Sequence, residues 1–159
     1  MEEILRLLSE DARLSLTQLA ERVGRPVAEV QEIIAKLEKD KVIRRYKTVI
    51  DWERMGIEHV FGFIEVRCAP QRGVGFDAVA ERIIEFPEVH SLYLMSGAYD
   101  FLVVVQGKNM REIAYFVAEK LAPLDHVVGT ATHFVLKPYK VDGDIMVDRA
   151  EVKRLAVTP

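Results

Sequence analysis

The stretch from Ser15 to Tyr46, SLTQLAERVGRPVAEVQEIIAKLEKDKVIRRY, constrains the fold more than any other part of the chain. Ser15 stands three residues before Gln18, an S-x-x-Q pair whose side chains can satisfy orphan N–H groups where a helix begins at Leu16. Leu16, Leu19, Ala20 and Val23 then recur at helical spacing. Gly24 stops that helix, and Pro26 is placed to start the next with φ already fixed. Val27, Val30, Ile34 and Leu37 form the inward stripe of the second helix. An upstream helix over 2–10, with Ile4, Leu5 and Leu8 inward, completes a three-helix unit of helix-turn-helix proportions. Periodicity alone also fits a small helical bundle used for protein contacts.

The sequence after this motif, Arg44-Arg45-Tyr46-Lys47-Thr48-Val49-Ile50, alternates basic and β-branched residues and predicts a short strand. Asp51 to Gly56 reads as a capped turn, so residues 51–57 are expected to link a head (1–50) to a body (58–140), with residues 141–159 as a tail. Either side of the linker can pack on Trp52, the only tryptophan.

The body changes period. His59 to Cys68 predicts a strand, 69–75 a loop, and Phe76 to Phe86 a helix with Phe76, Val79, Ala80, Ile83 and Ile84 inward, halted by Pro87. Val89 to Met95 and Asp100 to Gln106 predict two strands around a hairpin, Ser96-Gly97-Ala98-Tyr99, whose glycine can take φ > 0. Asn109, with Glu112 three residues on, opens a second capped helix running to about Leu121 and ended by Pro123. Val127 to Leu136 is the last strand. The order β-α-β-β-α-β is the split, ferredoxin-like arrangement: an antiparallel sheet with both helices on one face. The fold class is therefore α+β. The tail from Lys137 to Pro159 reads either as a strand extension plus a short helix or as a loose end.

Strands one and three are apolar on both sides: Phe61, Phe63, Ile64 and Val66, then Leu102 to Val105. A solvated antiparallel face alternates with polar residues. The second face is therefore expected to be buried, against a second copy in a homodimer or, alternatively, against the head.

Composition narrows the function classes. No apolar run approaches the roughly 20 residues of a membrane span, and the acidic, amphipathic N-terminus is unlike a secretory signal. One cysteine, Cys68, fits a buried thiol in a reducing cytoplasm. Net charge is −3, which disfavours nucleic acid, but the first 50 residues carry ten Lys and Arg against nine Asp and Glu. A near-neutral head on an acidic body can bind DNA through a local basic stripe. No metal-ligand cluster, glycine-rich phosphate loop or nucleophile triad is present. His90, His126 and His133 fall on separate elements. No cofactor or metal is expected.

The chain resembles the Lrp/AsnC, or leucine-responsive "feast/famine", family of transcriptional regulators. In the head the resemblance rests on Ala12-Arg13, Leu19-Ala20, Val23-Gly24, Val30, Ile34, Leu37-Glu38, Val42-Ile43 and the Asp51…Met55-Gly56 linker. In the body it rests on Phe86-Pro87-Glu88-Val89 and on Gly97-Ala98-Tyr99-Asp100-Phe101-Leu102 running into a valine strand. The resemblance implies a winged-type head on double-stranded DNA and a ferredoxin-like body that dimerises through its sheet. It also implies assembly of dimers into octamers, and an amino acid or related effector near the hairpin Ser96, Gly97, Ala98, Tyr99 and Asp100. There a glycine lets a ligand approach the backbone, and a carboxylate can pair with an α-ammonium group. On the alternative reading, Gly97 only makes the turn and Asp100 caps it.

On the head, the positions expected against DNA are Ser15, Thr17, Arg22, Arg25, Ala28, Glu29, Gln31, Glu32, Lys36, Arg44, Arg45 and Lys47, with Arg13 as a further cation. Two departures stand out. The family's recognition helices usually begin with serine and carry an outer arginine; here those positions are Pro26 and Ile33. The outward face is acidic, and carboxylates near a polyanion weaken association. Gln31 suits adenine, and Glu29 or Glu32 suits cytosine N4. The acidic face leaves open a subunit that tunes a DNA-binding paralogue without binding DNA itself. A second alternative is an enzyme like the sirohaem decarboxylases, which share the two-domain shape. Those enzymes rely on a hairpin histidine where this chain has Gly97, and commonly carry asparagine where it has Asp100.

Overall fold

The computed structural model describes residues 1–69 and 75–147. Residues 70–74 of the expected loop at 69–75, and the end of the tail from residue 148 onward, lie outside them. The chain divides into two compact units, Met1–Ile50 and the remainder from Asp51.

The first unit is three helices: α1 (Glu2–Glu10), α2 (Leu16–Val23) and α3 (Val27–Lys39). The capping box forms as the sequence predicts. Ser15 Oγ accepts the Gln18 N–H at 3.2 Å, and Ser15 N–H donates to Gln18 Oε1 at 2.9 Å. Gly24 ends α2 at φ 64°, in the left-handed region that a Cβ disfavours, and Pro26 (φ −60°) precedes the first turn of α3. The core is Ile4, Leu7, Leu19, Ala20 and Val30, with Leu8, Leu14, Leu16, Val23, Ile33 and Ile34 packed around it. Two inward assignments change. Leu7 rather than Leu5 accompanies Ile4, and Val27 is 41% exposed while Ile33 packs inward, because the buried stripe follows the α1 and α2 contacts rather than hydrophobicity alone.

The strand expected over Arg44 to Ile50 does not form. No other strand exists among the described residues of this unit, so a single extended segment has no ladder to join. The chain instead leaves α3 through a left-handed Lys41 (φ 56°), with Val42 N–H donating to the Leu37 carbonyl at 2.9 Å. The Tyr46 hydroxyl then donates to Glu38 Oε1 at 2.9 Å, tying the basic segment back to the last turn of α3.

The second unit begins with a 3-10 turn, Glu53–Met55, closed by Gly56 at φ 72°. Trp52 is 41% exposed and meets His59 edge to face. Then follow β1 (Val60–Cys68), α4 (Asp77–Ile84), β2 (Val89–Leu94), β3 (Phe101–Gly107), α5 (Met110–Phe116), a π turn (Val117–Leu121) and β4 (Val127–Phe134). The sheet order is β2-β3-β1-β4, with every neighbour antiparallel, which is the ferredoxin-like arrangement. Ile64 and Val66 of β1, and Phe101, Val103 and Val105 of β3, face the helices and are buried with Val79, Ile83, Ile113, Phe116 and Leu121. Gly62 lets Ile113 pack close to the strand: a Cβ there would stand 3.0 Å from the Ile113 side chain, which would have to give by a few tenths of an ångström. Ile84, expected inward, is 61% exposed because Ile83 takes the core position and its neighbour must turn outward. The second capped helix begins at Asn109, whose Oδ1 accepts the Glu112 N–H at 2.9 Å. Its last turn widens, Ala122 N–H reaching the Val117 carbonyl five residues back at 2.8 Å.

On the opposite sheet face stand Phe61, Phe63, Glu65 and Arg67 of β1, Leu102 and Val104 of β3, and Tyr93 of β2. Its centre is apolar, and α4 and α5 both pack on the other face of the sheet. Glu65 and His133 flank it, Nε2 to Oε1 at 3.3 Å. Instead of one longer strand, the tail forms a short hairpin, β5 (Lys140–Val141) with β6 (Asp144–Ile145).

Candidate nucleic-acid interface and effector hairpin

The surface of α3 opposite its core residues is a stripe at spacings of four, three and four: Ala28, Glu32, Ala35 and Lys39, all exposed. Gln31 and Lys36 lie to either side and are exposed, as are Ser15 and Thr17 at the start of α2. Ala28, Gln31, Glu32 and Lys36 therefore share one side of α3, but the charged positions are not equally free. The Arg25 guanidinium closes onto the Glu29 carboxylate one turn along, so this cation and this acid neutralise each other. Among the described residues no ion pair engages Arg22, Glu32, Lys36, Arg44, Arg45 or Lys47. Glu32 and Lys36 stand one turn apart and do not close. Of the acidic face, Glu32 is thus the carboxylate left without a counter-ion among the described residues, while Arg22, Lys36, Arg44, Arg45 and Lys47 are exposed cations of the same unit.

Lys39 completes the stripe and is absent from the sequence-based set; the signal for it is its place seven residues after Glu32. The Glu38–Tyr46 bond is likewise an addition from the structure. Desolvation first, and then the Glu38 carboxylate, hold the Tyr46 phenol above its ordinary pKa, so it remains a donor.

At the hairpin, Ser96, Gly97 and Ala98 are exposed, while Tyr99 and Asp100 are half-buried. Gly97 sits at φ 149°, which favours glycine, and a Cβ there would meet nothing within 4 Å. Asp100 has a structural role. Its Oδ2 accepts the Cys68 N–H at 2.7 Å, its own N–H donates to the Val66 carbonyl at 3.0 Å, and its carbonyl accepts Met95 N–H at 2.7 Å. One residue, through its side chain and its backbone, thereby pins the turn to the end of the central strand, where the β1–β4 register shifts between Arg67 and Cys68. Its Oδ1 has no partner among the described residues. Cys68, expected buried, is half-buried; desolvation, followed by the Asp100 charge, raises its thiol pKa and keeps it protonated.

An open groove elsewhere runs along α5, lined by Glu88, Asn109, Arg111, Tyr115, Glu119 and Lys120. Lys120 pairs with Glu88 there and is the main reason the Glu88 carboxyl sits below its ordinary pKa. Among the described residues, no group of three or more His, Cys, Asp and Glu could hold a metal, and no helix is long and apolar enough to cross a membrane.

Residues 2–44 match a winged helix-turn-helix DNA-binding family, and residues 62–145 match the Lrp/AsnC ligand binding domain. The chain is 51% identical over 158 residues to an uncharacterized HTH-type transcriptional regulator of Bacillus subtilis, YugG, covering 99% of this chain and 95% of that protein. It is 30% identical to the leucine-responsive regulatory protein of Rhizobium meliloti, over 87% of this chain and 88% of that one. Of solved structures, an AsnC family transcriptional regulator from Agrobacterium tumefaciens superposes with a TM-score of 0.73 at 28% identity, over 91% of this chain and 93% of that one. A Neisseria meningitidis transcriptional regulator solved as its L-Met complex gives 0.71 at 27% identity, over 87% and 89%. These relatives regulate transcription and are not enzymes. With a helix-turn-helix head and a matching ligand-binding body, the chain belongs to the Lrp/AsnC family of DNA-binding transcriptional regulators.

Proposed function

We propose that the chain binds operator DNA sequence-specifically as a homodimer in the cytoplasm, with its affinity or assembly modulated by an amino acid or a related small molecule. The observation that carries the reading is the outward stripe of α3 together with exposed Arg22, Lys36, Arg44, Arg45 and Lys47 of the same unit, cations that no described carboxylate neutralises. Phosphate contacts from such groups displace counterions and supply the bulk of duplex affinity. The uncovered apolar face of the sheet supports pairing of two bodies, and two heads then read half-sites about one helical turn apart. Further association of dimers into an octamer belongs to the same proposal.

The effector reading places an α-ammonium group on Asp100 Oδ1, with the bare backbone of Gly97 allowing close approach. The methionine complex of the Neisseria relative supports an amino acid as the chemical class. Because Asp100 also holds the end of β1, a ligand there pulls on the central strand as well as on the turn.

A mobility-shift titration over salt concentration tests the DNA reading. A specific shift that steepens at low salt is expected. If no duplex competes better than random DNA, the acidic stripe marks a subunit that tunes a paralogue. A thermal-shift screen of the amino acids tests the effector, since a ligand bound only by the folded state raises its melting point.

A further inference from the structure

We infer that Glu32 is a specificity-determining residue of the head and selects a cytosine in each half-site, through a hydrogen bond from the cytosine N4 amino group. The inference rests on the DNA-binding reading above and deepens it.

Three observations lead there. Glu32 lies in the middle of the outward stripe, opposite the buried Val30 and Leu37. Its stripe neighbours, Ala28 and Ala35, are the smallest side chains available short of glycine, so a base edge can approach the helix and reach the longer Glu32. Glu29, the other acid of the first turns, is occupied by Arg25 and half-buried, while Glu32 has no counter-ion among the described residues although Lys36 stands one turn away. Glu32 is the sixth of the thirteen residues of α3, within the half of a recognition helix that is presented to base edges in the major groove. An unneutralised carboxylate there is repelled by the phosphates on both sides. Its compensation must come from a donor on the base edge.

The major groove offers two amino donors, adenine N6 and cytosine N4. Adenine N6 sits beside the N7 acceptor, whose lone pair faces a second carboxylate oxygen and opposes it. Cytosine N4 sits beside C5–H, which does not. A carboxylate therefore prefers cytosine, whereas an amide at the same place, with one acceptor and one donor, prefers adenine.

The test starts from a random-sequence selection with the full-length wild-type protein. Affinities of wild type, Glu32→Ala and Glu32→Gln are then measured at fixed salt. The probes are the enriched site, the same site with its C·G pair replaced by T·A, the same site carrying N4-methylcytosine, and random duplex. Wild type should discriminate against thymine by about fivefold per half-site, the lower end of a specific base contact because one hydrogen bond carries it. N4-methylation removes the donated hydrogen and should lower affinity similarly. Glu32→Ala should bind random duplex more tightly, since a repelled charge is gone, yet lose both discriminations. Glu32→Gln should move the preference from cytosine toward adenine. Exposed Glu to Ala within a helix favours helix formation, so failure to fold does not confound the result.

If Glu32→Ala tightens the enriched site and random duplex alike, leaving their ratio unchanged, Glu32 is only a repulsive surface charge and the inference is overturned. An enriched site lacking cytosine at the position governed by Glu32 also overturns it while leaving the DNA reading intact. Failure of wild type to enrich any site overturns both.

Discussion

Phe63→Glu probes the pairing of two bodies most directly. Phe63 sits near the centre of the uncovered face, opposite Val104 on one side and His133 on the other, and in the single chain it is 38% exposed. Val104 is already 8% exposed, so charging it would damage the single chain; Phe63 has room for a carboxylate that still reaches solvent. In an isologous dimer the same substitution appears twice. An unpaired carboxylate held in an interface costs several kcal/mol, and Glu65, two residues along on the same face, repels it further. Taking about 3 kcal/mol per copy gives about 6 kcal/mol, or about four decades in the dissociation constant. Sedimentation at micromolar concentration should show wild type as a dimer or larger and Phe63→Glu as a folded monomer, with Phe63→Leu remaining associated. A Phe63→Glu variant that sediments with wild type would refute the assignment of the face, and a monomeric wild type would refute pairing altogether.

Three further expectations concern the head, the hairpin and the α5 groove. Neutralising Arg44 and Arg45 together should reduce the slope of log affinity against log salt by about 1.8 per head, at about 0.9 for each phosphate no longer neutralised, read by fluorescence anisotropy between about 50 and about 200 mM salt. Asp100→Ala leaves the Cys68 N–H without its acceptor and should lower stability by about 1–3 kcal/mol. Asp100→Asn, which keeps a carbonyl oxygen for that bond, should recover most of the stability but not the amino-acid response, as compared by denaturant titration and thermal shift. Glu88, its pKa depressed chiefly by Lys120, contributes stability that is present above the ordinary Glu range and lost as pH falls through the lower folded value. The melting-point difference between wild type and Glu88→Gln should therefore shrink on acidification from pH about 6 to about 3; a constant difference would show that the pair carries no linkage.

Much of the fold is legible in the sequence because short-range rules decide it. Ser15 with Gln18, and Asn109 with Glu112, mark helix starts by pairings three residues apart, whereas Val60 to Cys68, apolar on both sides, reads as a strand without showing which of its residues meet α4 and α5. What is not legible depends on partners distant in sequence or on competition. The segment Arg44 to Ile50 has the residue types of a strand, but a strand needs a neighbour, and composition cannot supply one. The π turn at Val117 to Leu121 places Leu121 in the core by one extra residue, which helical periodicity does not show. At the hairpin, the turn can be read from Gly97, but the Asp100 bond to Cys68 spans 32 residues. The acidity of α3 is legible as a sum; that Arg25 removes Glu29 from it is not.

The two hydrophobic clusters share no residue, and each closes on itself. The genetic consequence is specific. If two bodies pair as proposed, a lesion that empties the small helical cluster, such as Val30→Asp, should leave the larger one able to fold and to join intact copies, so that a cell carrying both alleles would fill with hybrid assemblies holding only one working reader. Alleles of that kind should be dominant over wild type, whereas lesions in the sheet cluster, which remove the means of joining, should be recessive.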